Sequence, residues 1–293
     1  MSDAKSLPSA LRGWAEREIG DVESVRDASH ARANSQVWEL VRADGCRFSL
    51  KVSAEARMYE RETFALRHAT PALGAGRAPQ LRSSSADHLA LLTTALPGRA
   101  VEDLPLTAEE EYEAHRQGGF LLARLHAAGD VTGHWRAEAE GALLAVAEGA
   151  DKHLDEAGDR LAPAERELVR DLAAQLRMVG PLPLGFIHGD AWPGNLLWSG
   201  HAAWVDFDRS RFAPLVQEFV PLACGVWPDR PRLRTACMSG YGRELTPEER
   251  HVLTCLAALD SVSAVSWGEA HGDPRVTARG RRTLDRLFTG VFV

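Results

Sequence analysis

Long apolar stretches are missing from this chain of 293 residues. One of the longest runs without a polar side chain, residues 178–187, has only ten residues. A helix that crosses a bilayer needs about 18 to 20. We therefore predict no membrane span and no membrane partner. The opening residues 1–6 are not followed by an apolar segment either, so we expect no secretory signal.

Cysteine is also scarce. The four cysteines lie far apart and form no C-x-x-C pair, which argues against a zinc site and against a disulfide framework. Free thiols fit a reducing, cytoplasmic location.

An excess of basic residues is absent as well. The chain has 34 basic and 41 acidic residues and a formal charge of −7, which argues against a general nucleic-acid binder.

Lysine is the rarest charged residue, because only Lys5, Lys51 and Lys152 are found among the 34 basic residues. The charges also divide unevenly along the chain. Thirteen basic and 12 acidic residues precede Pro97, whereas 21 basic and 29 acidic residues follow it. Pro97-Gly98 ends a short apolar run and is typical of a hinge. We predict two lobes, residues 1–97 and 98–293, of which the second is acidic.

Strand patterns dominate the first third of the chain, and helical patterns dominate the rest. Two β-like runs, 36–42 and 47–52, flank Asp44-Gly45, which is a strong hairpin signal. A helix over 54–69 and a buried strand over 89–96 follow. Further helices are predicted near 7–19, 108–128, 136–157, 163–179, 247–270 and 277–289, the fifth starting with a capping box at Thr246 and Glu249. These patterns predict an α+β fold with a strand-rich first lobe and a mostly helical second lobe.

Residues 186–208 contain the densest group of reactive side chains. Asp190 and Asn195 are separated by glycine and proline, which favour a loop, and Asp206 follows a strand, a turn and a second strand. This order can bring Asn195 and Asp206 side by side. One oxygen from each suits Mg²⁺, which takes its other ligands from water and phosphates. Asp190 is then free to orient or deprotonate a hydroxyl. The alternative is that Asp190 and Asn195 only form turns.

The motif H-G-D-x-x-x-x-N, formed by His188, Gly189, Asp190 and Asn195, together with the later Asp206, resembles the aminoglycoside phosphotransferase and choline kinase-like family. Gly189 stands where protein kinases have arginine, which favours the small-molecule branch. The resemblance extends over about residues 24–220. It implies a bilobal protein-kinase-like fold and transfer of the γ-phosphoryl group of ATP or GTP, with Mg²⁺, to a hydroxyl. The implied roles are Asp190 as catalytic residue, Asn195 and Asp206 as metal ligands, and His188 and Asp208 as supporting residues.

A lysine and a glutamate of the first lobe fit the same resemblance. Lys51 points away from the apolar face of its strand and matches the family's lysine that holds the nucleotide phosphates. Glu62 lies on the apolar face of the next helix, where an unpaired carboxylate is costly, so we expect a Lys51–Glu62 ion pair. The remaining implied nucleotide contacts are Ser35 and the hinge residues Thr94, Ala95 and Leu96.

Glycine is absent from residues 27–36, the segment that would cover the phosphates. Such a backbone approaches phosphates less freely than a glycine-rich turn. Side chains of Ser29, Asn34 or Ser35 are therefore expected to contribute, and the choice between ATP and GTP stays open.

Glu218 stands in place of an aspartate that the family usually has. His126, which ends a helix in Leu-His as in the family, is expected to be a structural hydrogen-bonding residue.

The second lobe is expected to bind the acceptor. Its acidity suits a cation such as an aminoglycoside or a basic peptide, although a solvated acidic surface explains the charge equally well. Trp192, two residues after Asp190, would form a wall for a sugar or nucleoside ring. Further acceptor candidates are Asp260, Trp267, Glu269 and His271.

The resulting hypothesis is an O-phosphotransferase that modifies an aminoglycoside-like, basic peptide or nucleoside antibiotic. A metabolic kinase for choline, homoserine, methylthioribose or fructosamine is the alternative within the same fold. A catalytically silent nucleotide-binding module is the alternative outside enzymes, although the intact Lys51, Asp190, Asn195 and Asp206 argue against it. We expect a monomer or a homodimer that binds no nucleic acid.

Overall fold

A five-stranded antiparallel sheet dominates the first part of the chain. The computed structural model describes residues 6–29 and 35–292. The strands are β1 (Val22–Asp27), β2 (Gln36–Arg42), β3 (Arg47–Val52), β4 (Leu81–Ser85) and β5 (Ala90–Thr94). They lie in the order β1-β2-β3-β5-β4. Helix α1 (Ser9–Ile19) adds Trp14 to the small apolar core that includes Trp38 and Leu50 of the sheet.

The predicted hairpin is confirmed in both of its strands. β2 and β3 pair with Trp38 opposite Leu50, and Gly45 lies in the connecting turn with φ +79°. Phe48 and Leu50 are buried. Since successive side chains of a strand alternate between faces, Lys51 is directed to the opposite face of the sheet.

The helix predicted over 54–69 is α-helical only in its first part. Helix α2 runs from Ala56 to Phe64, a π-helical turn spans Ala65–Ala69, and a 3-10 turn spans Thr70–Leu73. Pro71 has no N–H to continue a regular α-helix. Glu62 nevertheless remains on the inward face of α2, with 6% of its surface exposed.

Helices form most of the second part of the chain. They are α3 (Ala108–His126), α4 (Gly133–Glu148), α5 (Ala150–Ala157), α6 (Pro163–Leu176), α7 (Val220–Gly225), α8 (Pro231–Tyr241), α9 (Pro247–Ala270) and α10 (Pro274–Phe288). The single helix predicted over 136–157 is wrong, because Gly149 separates α4 from α5. The capping box that begins α9 is confirmed, with a hydrogen bond of 3.1 Å from the Glu249 N–H to Thr246 Oγ1. None of the helices in the described part of the chain is long and apolar enough to cross a membrane.

Two small sheets frame the segment 186–208. β7 (Leu184–Ile187) pairs antiparallel with β10 (Arg211–Pro214). β8 (Leu196–Trp198) lies between β6 (Arg99–Ala100) and β9 (Ala202–Trp204). The strand, turn and strand predicted between Asn195 and Asp206 are thus confirmed as the β8–β9 hairpin.

Helices α3 and α8 touch at two glycines. A Cβ atom on Gly119 would lie 2.1 Å from the Cys237 carbonyl oxygen, and one on Gly240 would lie 1.7 Å from the Arg116 carbonyl oxygen. Only a residue without a Cβ allows the two backbones to approach this closely. Since Trp204 of β9 donates a hydrogen bond of 3.1 Å to a carbonyl of α3, this helix pair also supports the β8–β9 hairpin.

Candidate active site

A glycine turn leads from β7 into the loop that holds Asp190. Gly189 has φ +79°, and a Cβ atom there would lie 2.5 Å from the Arg209 carbonyl oxygen. Glycine adopts this conformation without steric cost. Beyond the turn, the Asn195 amide donates hydrogen bonds to the Asp190 carbonyl at 2.9 Å and to Asp190 Oδ2 at 3.1 Å. Asn195 therefore fixes both the path of the loop and the direction of the Asp190 carboxylate.

The β8–β9 hairpin holds Asp206 next to this loop. The Val205 N–H donates a hydrogen bond of 3.0 Å to the Asn195 carbonyl, so the residue before Asp206 is tied to Asn195. Asp206 itself has φ +67°. This left-handed conformation is uncommon outside glycine, although aspartate tolerates it better than most residues. Backbone strain of this kind is frequent at functional sites.

Lys51 reaches Asp206 from the sheet. Its Nζ lies 2.8 Å from Glu62 Oε2 and 3.0 Å from Asp208 Oδ2, and it also contacts Asp206 Oδ1. The expected Lys51–Glu62 ion pair is confirmed. Burial lowers the pKa of Lys51, but the charges of the three carboxylates outweigh this effect and hold the pKa above its usual range. Lys51 is therefore a fixed cation in the cleft.

The pKa values of the two aspartates of the site, Asp190 and Asp206, are shifted in opposite directions. Burial raises the pKa of Asp190 more than the neighbouring Arg209 lowers it. Burial also raises the pKa of Asp206, but the charge and hydrogen bond of Lys51 outweigh burial, and the pKa is lowered. Asp206 is thus kept as an anion, whereas Asp190 is better suited to accept a proton from a hydroxyl.

The donor chemistry of the site fits Mg²⁺. Because Asn195 Nδ2 is bound to Asp190, its amide oxygen is the atom left for a cation. Carboxylate oxygens of Glu62, Asp206 and Asp208 lie within 4.8 Å of one another. Mg²⁺ binds through one or two such oxygens and completes its shell with water and phosphate. Asn195 and Asp206 are therefore chemically suitable ligands, with Asp208 beside them.

A cavity of about 640 Å³ between the two parts of the chain, termed here the nucleotide cleft, unites most of the predicted site residues. A volume in this range suits a small cofactor. The predicted residues that line it are Ser35, Lys51, Glu62, Thr94, Ala95, Leu96, Asp190, Trp192, Asn195, Asp206, Asp208 and Trp267. Their common location is observed, while the role of each stays a prediction.

The hinge backbone has one available donor among its predicted residues. The Thr94 N–H donates to the Gln80 carbonyl at 2.9 Å, and the Ala95 N–H donates to the Arg47 carbonyl at 3.1 Å. The Leu96 N–H makes no backbone hydrogen bond within residues 6–29 and 35–292. Of the three predicted hinge residues, Leu96 is therefore the one whose backbone N–H is left for a ligand in the cleft.

The segment predicted to cover the phosphates is described only at its two ends. The Ser29 hydroxyl accepts a hydrogen bond of 3.0 Å from the Val37 N–H, so it is used within the sheet. Ser35 lines the nucleotide cleft. Asn34 lies outside the described residues.

Glu218 fixes the loop that contains Asp190 through the loop's backbone. It is fully buried and accepts hydrogen bonds from the His188 N–H at 2.6 Å and the Gly189 N–H at 3.0 Å. His126 Nε2 lies 3.0 Å from the same carboxylate, as expected for a structural hydrogen-bonding residue. The His188 ring bonds the Val205 carbonyl at 3.0 Å and so connects the loop to the residue before Asp206.

A second cavity of about 960 Å³, termed here the acceptor cavity, adjoins the nucleotide cleft. Its walls come mainly from helices of the second part of the chain. The residues that line both cavities are Glu102, Asp190, Trp192, Arg209 and Trp267. Asp190 thus lies where the two cavities meet.

The remaining acceptor candidates have different positions. Asp260 lines the acceptor cavity and forms an ion pair of 2.7 Å with Arg279. Glu269 lines neither cavity and forms an ion pair of 2.8 Å with Arg160. His271 stacks on Trp267 with ring centroids 4.3 Å apart. The structure therefore brings Trp192, Trp267 and Asp260 to the acceptor cavity and leaves Glu269 outside it.

Sequence reasoning missed several residues of these walls, namely Glu102, Arg209, Arg211 and Gln217. Arg209 directly follows Asp208 and Arg211 is three residues after it, and this closeness in sequence was the one available signal. Gln217 precedes Glu218 and belongs to no recognisable pattern. Glu102 comes from the hinge side, and only the fold brings it near Asp190.

Three solved structures with a similar fold are antibiotic phosphotransferases. A thermostable mutant of aminoglycoside phosphotransferase APH(4)-Ia, in ternary complex with AMP-PNP and hygromycin B, is 16% identical with a TM-score of 0.71, over 95% of this chain and 98% of that chain. Macrolide 2'-phosphotransferase MphH from Brachybacterium faecium is 18% identical with a TM-score of 0.60, over 94% and 96%. The gentamicin complex of APH(2'')-IIa is 14% identical with a TM-score of 0.67, over 96% of each chain. These likenesses confirm the bilobal kinase-like α+β fold.

The amino-acid sequence alone supports the same relationship. A comparison with curated proteins finds no significant match. The model of the phosphotransferase enzyme family matches residues 26–253, which is most of the chain. The matched range includes Lys51, the H-G-D-x-x-x-x-N motif and Asp206. The chain therefore belongs to the phosphotransferase enzyme family.

Proposed function

We propose that this enzyme transfers the γ-phosphoryl group of ATP or GTP, with Mg²⁺, to a hydroxyl group of an antibiotic-like small molecule. The reaction would take place in the cytoplasm, where the donor nucleotide is abundant. The similar solved structures, with AMP-PNP and hygromycin B or with gentamicin bound, support a nucleotide donor and a small-molecule acceptor.

The position of Asp190 is the observation that carries this proposal. Asp190 lines both the nucleotide cleft and the acceptor cavity. A phosphoryl donor in the first and a hydroxyl in the second would meet at this carboxylate. In-line transfer needs such a meeting point, since most of the catalysis of phosphoryl transfer comes from positioning and charge stabilisation.

Each residue of the site would contribute a separate function. Lys51 would hold the phosphates of the nucleotide, because it is a buried cation fixed by Glu62. Asn195 and Asp206 would hold Mg²⁺, which would neutralise charge on the phosphates when bound. Asp190 would orient the acceptor hydroxyl and accept its proton, since its pKa is raised by burial. Glu218 would keep the loop in place.

The substitution Asp190→Ala tests the assignment. We expect acceptor-dependent ADP formation to fall by about 10²- to 10⁴-fold, the range typical for loss of a general base. Binding of the Mg²⁺-nucleotide, measured by calorimetry, should remain. Asp159→Ala, at an exposed position, is the matched control and should retain full activity.

Full transfer by Asp190→Ala would contradict the mechanism. The assay needs a panel of acceptors that includes aminoglycosides, peptide and nucleoside antibiotics, macrolides and metabolic alcohols. Turnover of metabolic alcohols alone would favour a metabolic kinase. Nucleotide binding without ADP formation with any acceptor would identify a silent nucleotide-binding module.

A further inference from the structure

The charges around the acceptor cavity differ from those of the lobe that contains it. Two arginine–carboxylate pairs in its lining are mutually neutralised: Arg279 with Asp260 at 2.7 Å, and Arg230 with Glu111. Three further arginines line the cavity and form no ion pair among the described residues: Arg209, which lies near Asp190, Arg211 and Arg275. Apart from these pairs, the carboxylates that line it are Asp190 and Glu102. The cavity is therefore not acidic, although the residues after Pro97 are acidic as a whole.

A polycationic acceptor fits this cavity poorly. Each ammonium group needs a carboxylate or several oxygen acceptors to replace its lost water, and the carboxylates of Asp260 and Glu111 are already bound to arginines. Arginines that line the same cavity without an ion pair repel such a ligand. The electrostatics favour an acceptor that is neutral or anionic.

Arg211 and Gln217 form a pair of hydrogen-bond donors in the lining of the acceptor cavity. Arg211 Nη2 donates to Gln217 Oε1 at 2.8 Å, and Arg211 Nη1 donates to the Arg209 carbonyl at 3.0 Å. A guanidinium has five N–H bonds, so others remain available. Gln217 is 8% exposed, and its Nε2 has no hydrogen-bond partner within the described residues. Buried donors of this kind are costly unless a partner satisfies them.

The donor pair lies next to the catalytic loop. The Cβ position of Gly189 would be 2.9 Å from Arg211 Nη1, and Gly189 directly precedes Asp190. Burial and the charge of Arg61 lower the pKa of Arg211, and the carboxylates of Glu218 and Glu138 offset only part of this effect. Both Arg211 and Gln217 line the acceptor cavity. An acidic group of a ligand in this cavity would satisfy both.

Apolar side chains complete the cavity. They include Trp192, Val146, Val226, Leu256, Leu259 and Trp267. Surfaces of this kind bind the hydrocarbon or aromatic body of a ligand, while a few polar groups set its orientation.

We infer that Arg211 and Gln217 form a carboxylate-binding subsite, and that the acceptor is a hydroxyl compound with an apolar body and a carboxylate group. The inference rests on the proposed function, because it assigns the substrate class of the same site. The guanidinium and the amide both donate to the carboxylate, which places the hydroxyl of the acceptor toward Asp190. Arginine suits this geometry because its planar group matches a carboxylate.

The test compares acceptors that differ only in charge. A panel of apolar hydroxyl compounds is assayed with Mg²⁺-ATP and Mg²⁺-GTP, each compound as the carboxylate and as its primary amide, beside gentamicin and hygromycin B. We expect the highest kcat/KM with a carboxylate. In Arg211→Gln, kcat/KM for that carboxylate should fall by about 10- to 100-fold through KM, the range expected for a lost charge-assisted hydrogen bond. The kcat/KM of the same variant for the matching amide should change much less.

Gln217→Glu is the second variant, since it preserves shape and places a negative charge against the substrate carboxylate. It should reduce kcat/KM for the acid more than for the amide, even if Arg211→Gln folds poorly. Arg282→Gln removes a positive charge at an exposed position outside the cavity and is the matched control. A purely structural role of Arg211 would affect acid and amide alike.

Three results would overturn the inference. The first is preferred turnover of gentamicin or hygromycin B, which would leave the proposed function intact. The second is an equal loss for acid and amide in both variants. The third is Mg²⁺-nucleotide binding without turnover of any acceptor, which would reject the proposed function together with the subsite.

Discussion

Glu218 illustrates how one buried carboxylate can organise the loop that holds Asp190. It accepts two backbone N–H bonds, from His188 and Gly189, and a third bond links it to His126. Burial raises the pKa of Glu218, but these hydrogen bonds and the charges near it outweigh burial, and the pKa is lowered. The loop is therefore fixed through its backbone before any ligand binds.

We expect Glu218→Gln to destabilise the protein by about 3 to 5 kcal/mol, because one amide N–H₂ would face backbone donors in a buried site. Since the pKa of Glu218 is lowered from its ordinary value of 4.5, the advantage of the wild type is complete above that pH and declines as the pH falls below it. Urea denaturation at pH 7 and at pH 4 measures the difference. Glu60→Gln, at an exposed position of α2, is the control. An equal stability of the Glu218 variant and the wild type at pH 7 would refute the role.

The central residues of the site were predictable because their constraints are local. Asp190 and Asn195 share one loop, and Asp206 follows within one hairpin. Glu62 was recognisable because a carboxylate on an apolar helix face needs a partner. Arg211 and Gln217 were not recognisable, since an arginine on a strand and a glutamine before a glutamate carry no pattern. Their importance arises only when β10 and the turn after it form a wall of the acceptor cavity.

Among the elements, α3 and α8 depend on their shared glycines. The backbone of each helix occupies the space where a Cβ of the other would lie. We expect Gly240→Ala to lower the free energy of unfolding by at least about 1 to 3 kcal/mol, because the contacted atom belongs to the backbone and cannot rotate away. Thermal or urea denaturation measures this change.

Gly141→Ala on α4 is the matched control for this substitution. A Cβ at Gly141 would meet no atom within 4 Å. Alanine there should raise stability by about 0.5 to 1 kcal/mol through helix propensity. If both alanine variants gained stability, the close helix contact would not limit the fold.

The success of prediction also differed between elements. The β2–β3 hairpin was predicted correctly because its strands alternate and its turn carries Asp-Gly. β1 and β4 were not predicted. They are the two edge strands of the sheet, and their sequences are rich in charged residues or serine. Edge strands lack the apolar alternation on which such predictions depend. α8 was missed because its start at Pro231 resembles a loop.

For the whole molecule, binding of Mg²⁺-nucleotide should stabilise both parts of the chain, since the cleft is lined by both. At a concentration of 100 Kd the gain is about 2.7 kcal/mol, and each kcal/mol raises Tm by about 2 to 4 °C in a protein of this size class. We expect AMP-PNP with Mg²⁺ to raise Tm by several degrees more than AMP-PNP with EDTA.

Asn195→Ala should remove most of this Mg²⁺-dependent increment. Because Asn195 also bonds Asp190, the readout is the difference between the two nucleotide conditions and not the absolute Tm. Gln175→Ala, an exposed position on α6, is the control. An undiminished Mg²⁺ increment in the Asn195 variant would exclude this residue as a metal ligand.

The charge of a whole lobe proved a poor guide to its cavity. The excess of acidic residues after Pro97 favoured a cationic acceptor at the level of sequence. In the structure, many of these carboxylates are distant from the cavity or paired with arginine, as Glu269 is with Arg160. The net charge of a lobe describes mainly its solvent-exposed surface. Substrate specificity depends instead on the few charged residues that line a pocket and form no ion pair.

The shared wall of the two cavities has a consequence for inhibition. Since Asp190, Trp192 and Trp267 border both spaces, a compound that joins a nucleotide to an acceptor through a short linker could occupy both at once. Its second half would bind at an effective concentration set by the linker and not by the solution. Such a compound would inhibit the enzyme and would bind more tightly than either of its halves alone.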